Sequence, residues 1–90
     1  MIRDDAGASI ADGSVDLVVL NPPFHVGAAV VTTAADRLFA AAGRVLRPGG
    51  ELWTVYNSAL RHKPTLTRLV GPTSVVDRTP KFTVTVSTAR

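Results

Sequence analysis

Asn21, Pro22, Pro23 and Phe24 follow one another without a break, and His25 comes next. In this stretch the residue types converge on one chemistry. An asparagine side chain offers an acceptor oxygen and two donor hydrogens. A proline keeps its carbonyl acceptor and has no N–H of its own. Together the Asn21 side chain and the Pro22 carbonyl can accept both hydrogens of a planar amino group. Held in this way, the amine aims its nitrogen lone pair out of the plane, toward an electrophile. Phe24 supplies a flat face on which a base can stack, worth roughly 1–3 kcal/mol per base. Two successive prolines limit the motion of the turn, so little entropy is lost when a substrate docks. A paired base must first be extruded, at a cost of a few kcal/mol. Stacking on Phe24 is comparable with that cost, so a basic surface has to contribute. The plain competing reading is a proline turn that only ends a strand. Its place after an apolar strand, with Asp16 near the start, favours the chemical reading.

The turn needs elements to hold it. Val15 to Leu20 is a nearly continuous run of Val and Leu, the pattern of a strand covered on both faces in a parallel sheet. Pro22 and Pro23 must stop its ladder, and Asn21, before a proline, is pushed toward extended backbone. From about Ala28 to Leu46 the period becomes helical, with Ala34, Leu38, Ala41, Ala42 and Val45 on one face. Arg47-Pro48-Gly49-Gly50 reads as the loop that ends this helix. Glu51 to Tyr56 reads as a second strand, with Trp53 as a core residue and Asn57 just past its end. Leu60 to Val70 predicts a second helix, weakened or started by Pro64. Val75-Val76 and Lys81 to Ser87 predict two short antiparallel strands, since the Thr79-Pro80 connection is too short for a helical crossover. In the last strand Phe82, Val84 and Val86 fall on one face, and Thr83, Thr85 and Ser87 on the other. The order is β-α-β-α-β-β. Ligands of open α/β sheets bind beyond the carboxyl ends of parallel strands. Asn21 to His25 and Asn57 both sit at such ends.

Ninety residues make one small domain or part of a larger one. There is no cysteine, so neither a disulfide framework nor a thiolate metal site is available. The two histidines, His25 and His62, are too isolated to suggest a metal, and His62 with its basic neighbours reads as surface. No apolar run approaches the roughly 18 residues of a membrane span. The beginning, Met1-Ile2-Arg3-Asp4-Asp5, does not read as a signal peptide. A cytoplasmic protein is the resulting expectation. Charge is uneven: after residue 60 come Arg61, Lys63, Arg68, Arg78, Lys81 and Arg90, against Asp77 alone. A basic end favours a polyanionic partner such as nucleic acid, with a merely solvated face as the alternative.

Asp16-Leu17-Val18-Val19-Leu20-Asn21-Pro22-Pro23-Phe24 resembles motif IV of the class I S-adenosylmethionine-dependent amino-methyltransferases. With His25 added, it resembles the ribosomal RNA guanine-N2 enzymes of the methyltransferase small domain family. Leu46 to Leu52, Val55-Tyr56-Asn57 with Leu60, and Lys81-Phe82 with the valines after them are similar to later segments of that family. The resemblance implies an α/β, partial Rossmann-like methyltransferase fold, with parallel strands and a C-terminal antiparallel hairpin. It implies methyl transfer from S-adenosylmethionine to an exocyclic amine, guanine N2 of ribosomal RNA, with the RNA or the ribosomal subunit as partner and no metal. It makes Asn21, Pro22, Pro23 and Phe24 the catalytic turn, with Asn21 and Pro22 on the amine and Phe24 against the base. His25 and Asn57 would lie beside the substrate. Asp5, or Asp4 with a one-residue shift, would lie near the cofactor adenine, with Asn21 also beside the cofactor.

The family's glycine-rich loop after a first strand, and its acid ending a second strand, have no counterpart here. Gly49-Gly50 precedes a strand, and Arg61-His62 stands where the family favours an aromatic residue. Residues 1–90 are therefore expected to correspond to the C-terminal part of a methyltransferase domain, without the cofactor-binding N-terminal half. Taken alone, they are expected to be inactive, to bind the cofactor weakly, and to self-associate through an exposed strand edge. Protein-glutamine or adenine-N6 methylation, and a non-catalytic interaction module, are the alternative readings.

Overall fold

The strand beneath the candidate turn forms as expected: β1 is Val15–Leu20. It is followed by α1 (Ala28–Val45), β2 (Leu46–Asn57), α2 (Lys63–Leu69), β3 (Thr73–Arg78) and β4 (Phe82–Thr88). The structure, a computed structural model, describes residues 10–21 and 28–90, with side chains from 35 onward in the second span. Asp4, Asp5, Pro22, Pro23, Phe24 and His25 lie outside the described residues.

The four strands form one sheet in the order β1-β2-β4-β3. β1 runs parallel to β2, pairing Val18 with Leu52, Val19 with Trp53 and Leu20 with Thr54. β4 is antiparallel to both β2 and β3. This is the expected β-α-β-α-β-β arrangement with a closing hairpin. The hairpin does not simply extend the sheet, because its second strand lies against β2 and its first becomes an edge. Among the described residues, no helix is long and apolar enough to cross a membrane.

Both helices lie on the sheet face that carries Val18, Leu20, Leu52 and Tyr56, all buried. α1 buries Ala35, Phe39, Ala42 and Val45 against it, a stripe at helical spacing. The stripe shares Ala42 and Val45 with the expected face but is otherwise turned by one residue. Leu38 and Ala41 flank it, half-buried. The large Phe39 ring takes the central position, and its burial sets the helix rotation. α2 contributes Leu66, and Pro64 sits in its first turn, where the missing N–H costs no helical bond. α1 approaches α2 at Gly43, where a Cβ would stand 2.5 Å from the Leu69 carbonyl oxygen.

Two expectations are corrected, on β1 and on the Arg47-Pro48-Gly49-Gly50 segment, and a third, the two faces of β4, is borne out with its orientation now settled. First, β1 is not covered on both faces: Leu17 is 54% and Val19 48% exposed. Register continues that open face through Trp53 and Val86 on one row, and Val55 and Val84 on another. Trp53 is therefore a half-buried residue of the open face, not of the core, and its Nε1–H donates to Glu51 Oε1 at 3.1 Å. Second, β4 alternates as expected, and it is the polar face that turns inward. Thr83, Thr85 and Ser87 are buried under the helices, while Phe82, Val84 and Val86 face outward. Short hydroxyl side chains are tolerated there because two of them find partners: Thr83 with Ser58 at 2.8 Å and Ser87 with Thr73 at 2.8 Å. Third, Arg47-Pro48-Gly49-Gly50 is the beginning of β2 rather than a loop. Gly49 N–H donates to the Ala89 carbonyl at 2.9 Å and Ala89 N–H to the Gly50 carbonyl at 2.8 Å. Gly49 has φ +85, a left-handed conformation that glycine adopts without steric cost.

Candidate functional site

The parallel pair β1 and β2 brings two asparagines to one end of the sheet. Leu20 pairs with Thr54, so Asn57 extends three residues beyond that rung, about 10 Å at strand rise. Leu20 is buried, and Asn21 directly after it is exposed, with no hydrogen-bond partner among the described residues. Its amide is therefore open to solvent at the carboxyl end of a strand. Asn57 is partly committed. Its Oδ1 accepts the Ala59 N–H at 2.9 Å, and its carbonyl accepts the Leu60 N–H at 2.9 Å. This is an Asx turn that closes β2. The acceptor half of the Asn57 side chain is in use, and its amino half can still donate. The other expected site residues, Pro22, Pro23, Phe24, His25 and Asp5, lie outside the described residues.

At the start of β1, Asp16 is exposed and pairs with Arg47 at 2.5 Å. Arg44 pairs with Asp12 at 2.5 Å and donates to the Ile10 carbonyl at 2.8 Å. These contacts tie the approach to β1 onto the end of α1 and the start of β2. They are exposed and contribute little energy, but they place the strand's first residues.

His62 is buried, at 5% exposure, and is not the surface residue expected. It meets the Phe39 ring edge-on at 5.2 Å and the Tyr56 ring at 4.9 Å. Its Nε2 has no hydrogen-bond partner among the described residues. Burial pushes its pKa below the ordinary 6.5, against the opposing pull of the Asp36 carboxylate. The ring is thus neutral at pH 7. The available signal was its spacing to Leu66: the Leu66 N–H bonds to the His62 carbonyl at 2.8 Å, so the two residues share the buried side of the α2 entry.

Beyond Tyr56 a cleft of about 430 Å³ opens between the α2 entry and the β3–β4 hairpin. Arg61, Lys63 and Arg78 line it together with Tyr56, Leu60 and Thr83. Burial raises the pKa of the Tyr56 hydroxyl, and the Arg78 guanidinium and the Thr85 hydroxyl oppose that rise. The basic excess was visible in the sequence. Its convergence on one cleft was not, because Arg78 comes from a different element.

A model of the methyltransferase small domain family matches residues 1–86. The chain belongs to that family. Among its relatives, ribosomal RNA large subunit methyltransferase G of Streptomyces coelicolor is 50% identical over 80 residues, covering 89% of this chain and 21% of the relative. The protein of the same name from Stutzerimonas stutzeri is 45% identical over 82 residues, covering 88% and 22%. Among solved structures, the Thermus thermophilus 16S rRNA guanine-N2 methyltransferase RsmC, in complex with AdoMet and guanosine, superposes with a TM-score of 0.72. It is 29% identical, with 91% of this chain and 22% of that one covered. This methyltransferase small domain chain therefore spans about a fifth of the length of these relatives.

Proposed function

We propose that this chain supplies the amine-holding part of an S-adenosylmethionine-dependent ribosomal RNA methyltransferase acting on guanine N2. One observation carries the reading: Asn21 stands exposed just beyond the buried end of a parallel strand, its amide unengaged among the described residues. Its side-chain oxygen is available to accept from a planar amine, with the Pro22 carbonyl as second acceptor and Phe24 against the base. The amino half of Asn57, left over by its Asx turn, is assigned as a donor to the same ligand. The relatives' names support an RNA substrate, and the T. thermophilus structure supports guanine N2.

The cofactor supplies an electrophilic methyl group on a sulfonium. The described residues do not build a glycine-rich cradle for it. At the paired glycines, a Cβ on Gly50 would meet the Arg47 carbonyl and Leu46 Cδ2 at 3.0 Å and the Asp16 carbonyl at 3.1 Å. That corner is filled by the chain itself. Asp5 and Asn21 are the contacts proposed from this sequence toward the cofactor, and they amount to weak binding. Calorimetry of the ninety residues with S-adenosylmethionine is expected to show no micromolar affinity.

The chain's part in catalysis is positioning and electrostatics rather than strong base chemistry. In the full-length protein, Asn21→Ala is expected to lower kcat about 100-fold or more, with a smaller effect on KM. Mass spectrometry of digested ribosomal RNA checks the product. N2-methylguanosine is the expected nucleoside; N6-methyladenosine, or a methylated glutamine in a protein substrate, would overturn the assignment.

A further inference from the structure

We propose that the cleft between the α2 entry and the β3–β4 hairpin binds the RNA backbone through three phosphate contacts, one to each of its cations, and so holds the strand beside the target amine. The proposal rests on the RNA reading above and names a second subsite for it. Three cations, Arg61, Lys63 and Arg78, line the cleft, and no acid does. None of the three has an ion pair among the described residues, in contrast to Arg44 and Arg47, which pair with Asp12 and Asp16.

The charges are sorted by a backbone irregularity. Val75 pairs with the buried Thr85, so strict alternation would turn Asp77 toward the helix side and Arg78 away from it. The register instead shifts between Val75 and Asp77, and Arg78 pairs with the buried Thr83 while Asp77 pairs with the outward-facing Val84. Such a bulge re-aims the residues after it. Here it brings the arginine into the cleft and takes the acid of the same strand to the opposite face. Leu60, Pro64 and Val75 add an apolar wall suited to a ribose. The cleft begins at Tyr56 and Ser58, on either side of Asn57, at the sheet end where Asn21 stands. At about 430 Å³ it is of small-ligand size.

Fluorescence anisotropy with a short single-stranded RNA tests this. Each phosphate contact adds about 0.7 to the salt slope, so raising salt from roughly 50 to 200 mM should weaken the unaltered chain about twentyfold. The same change should weaken Arg61→Ala, Lys63→Ala or Arg78→Ala only about sevenfold each. Arg37→Ala, an exposed cation of α1 outside the cleft, should keep the full slope, as should the charge-preserving Arg78→Lys. The proposal falls if the chain does not bind RNA, or if Arg37→Ala lowers the slope as the cleft variants do. It also falls if the cleft alanines leave the slope unchanged, if Arg78→Lys loses it, or if a phosphoserine peptide competes as well as RNA. Methyl transfer by the full-length protein is scored separately. Transfer with unchanged cleft slopes defeats the cleft alone, and cleft-dependent slopes without transfer defeat the enzymatic reading alone.

Discussion

His62 is held as a neutral ring between two aromatic edges, and protonation would place a charge there with an unpaired nitrogen. Its folded pKa lies below the unfolded value of 6.5. Below that value the unfolded chain takes up a proton that the folded chain resists, so stability falls as pH drops and levels off once the folded ring also protonates. Urea midpoints should therefore decline as pH falls through about 6.5, and His62→Phe should flatten the decline. Thr54 poses the complementary case. It is fully buried, and its hydroxyl oxygen has no partner among the described residues. Thr54→Val keeps the shape and removes a desolvated polar group, so it should be neutral or stabilising by about 1 kcal/mol in the same titration. The positions of Asn21 and Asn57 at strand ends were legible, because each follows an apolar run and falls where a ladder must stop. The burial of His62 was hidden by its exposed neighbours Arg61 and Lys63 and shows only in its one-turn relation to Leu66.

Between elements, the contacts that decide the packing are short-range. Gly43→Ala illustrates a competition of magnitudes. Helix propensity favours the alanine by about 1 kcal/mol. Against it stands the Leu69 carbonyl oxygen, 2.5 Å from the new methyl carbon. Backbone cannot yield as a side chain can, and overpacking costs about 1–3 kcal/mol. The substitution should therefore destabilise, seen as a lower thermal midpoint. The strand and helix order was readable from period and punctuation: the six elements come in the expected order and β1 matches residue for residue, whereas β2 begins at Leu46 rather than Glu51 and α2 at Lys63 rather than Leu60. The faces were less readable. A Val-rich run reads the same whether one side or both are covered, so Leu17 and Val19 carried no sign of their exposure. In β4 the usual rule of apolar-inward is inverted, because the hydroxyls of Thr83 and Ser87 are satisfied by Ser58 and Thr73, which are remote in sequence. The bulge at Val75 to Asp77 left no glycine to announce it.

For the molecule as a whole, one sheet face is packed and the other is open. Leu17, Val19, Val76 and Phe82 are exposed, and β1 is an edge strand. An apolar edge beside an apolar face is a surface on which chains associate. Sedimentation of the ninety residues should give a mass above that of the monomer, and Leu17→Lys combined with Val19→Lys should restore the monomer. The strand order also has a bearing on biosynthesis. β4 lies inside the sheet, between β2 and β3, yet it is the last element of the six to be translated. About 25 residues separate the end of β2 from the start of β4, roughly one to five seconds of synthesis at 5–20 residues per second. For that interval β2 shows the ribosome exit an unpaired edge, and among the described residues no earlier strand occupies the place that β4 takes. The sheet therefore closes from its middle only after the final strand has emerged, and a nascent-chain chaperone would find its window there.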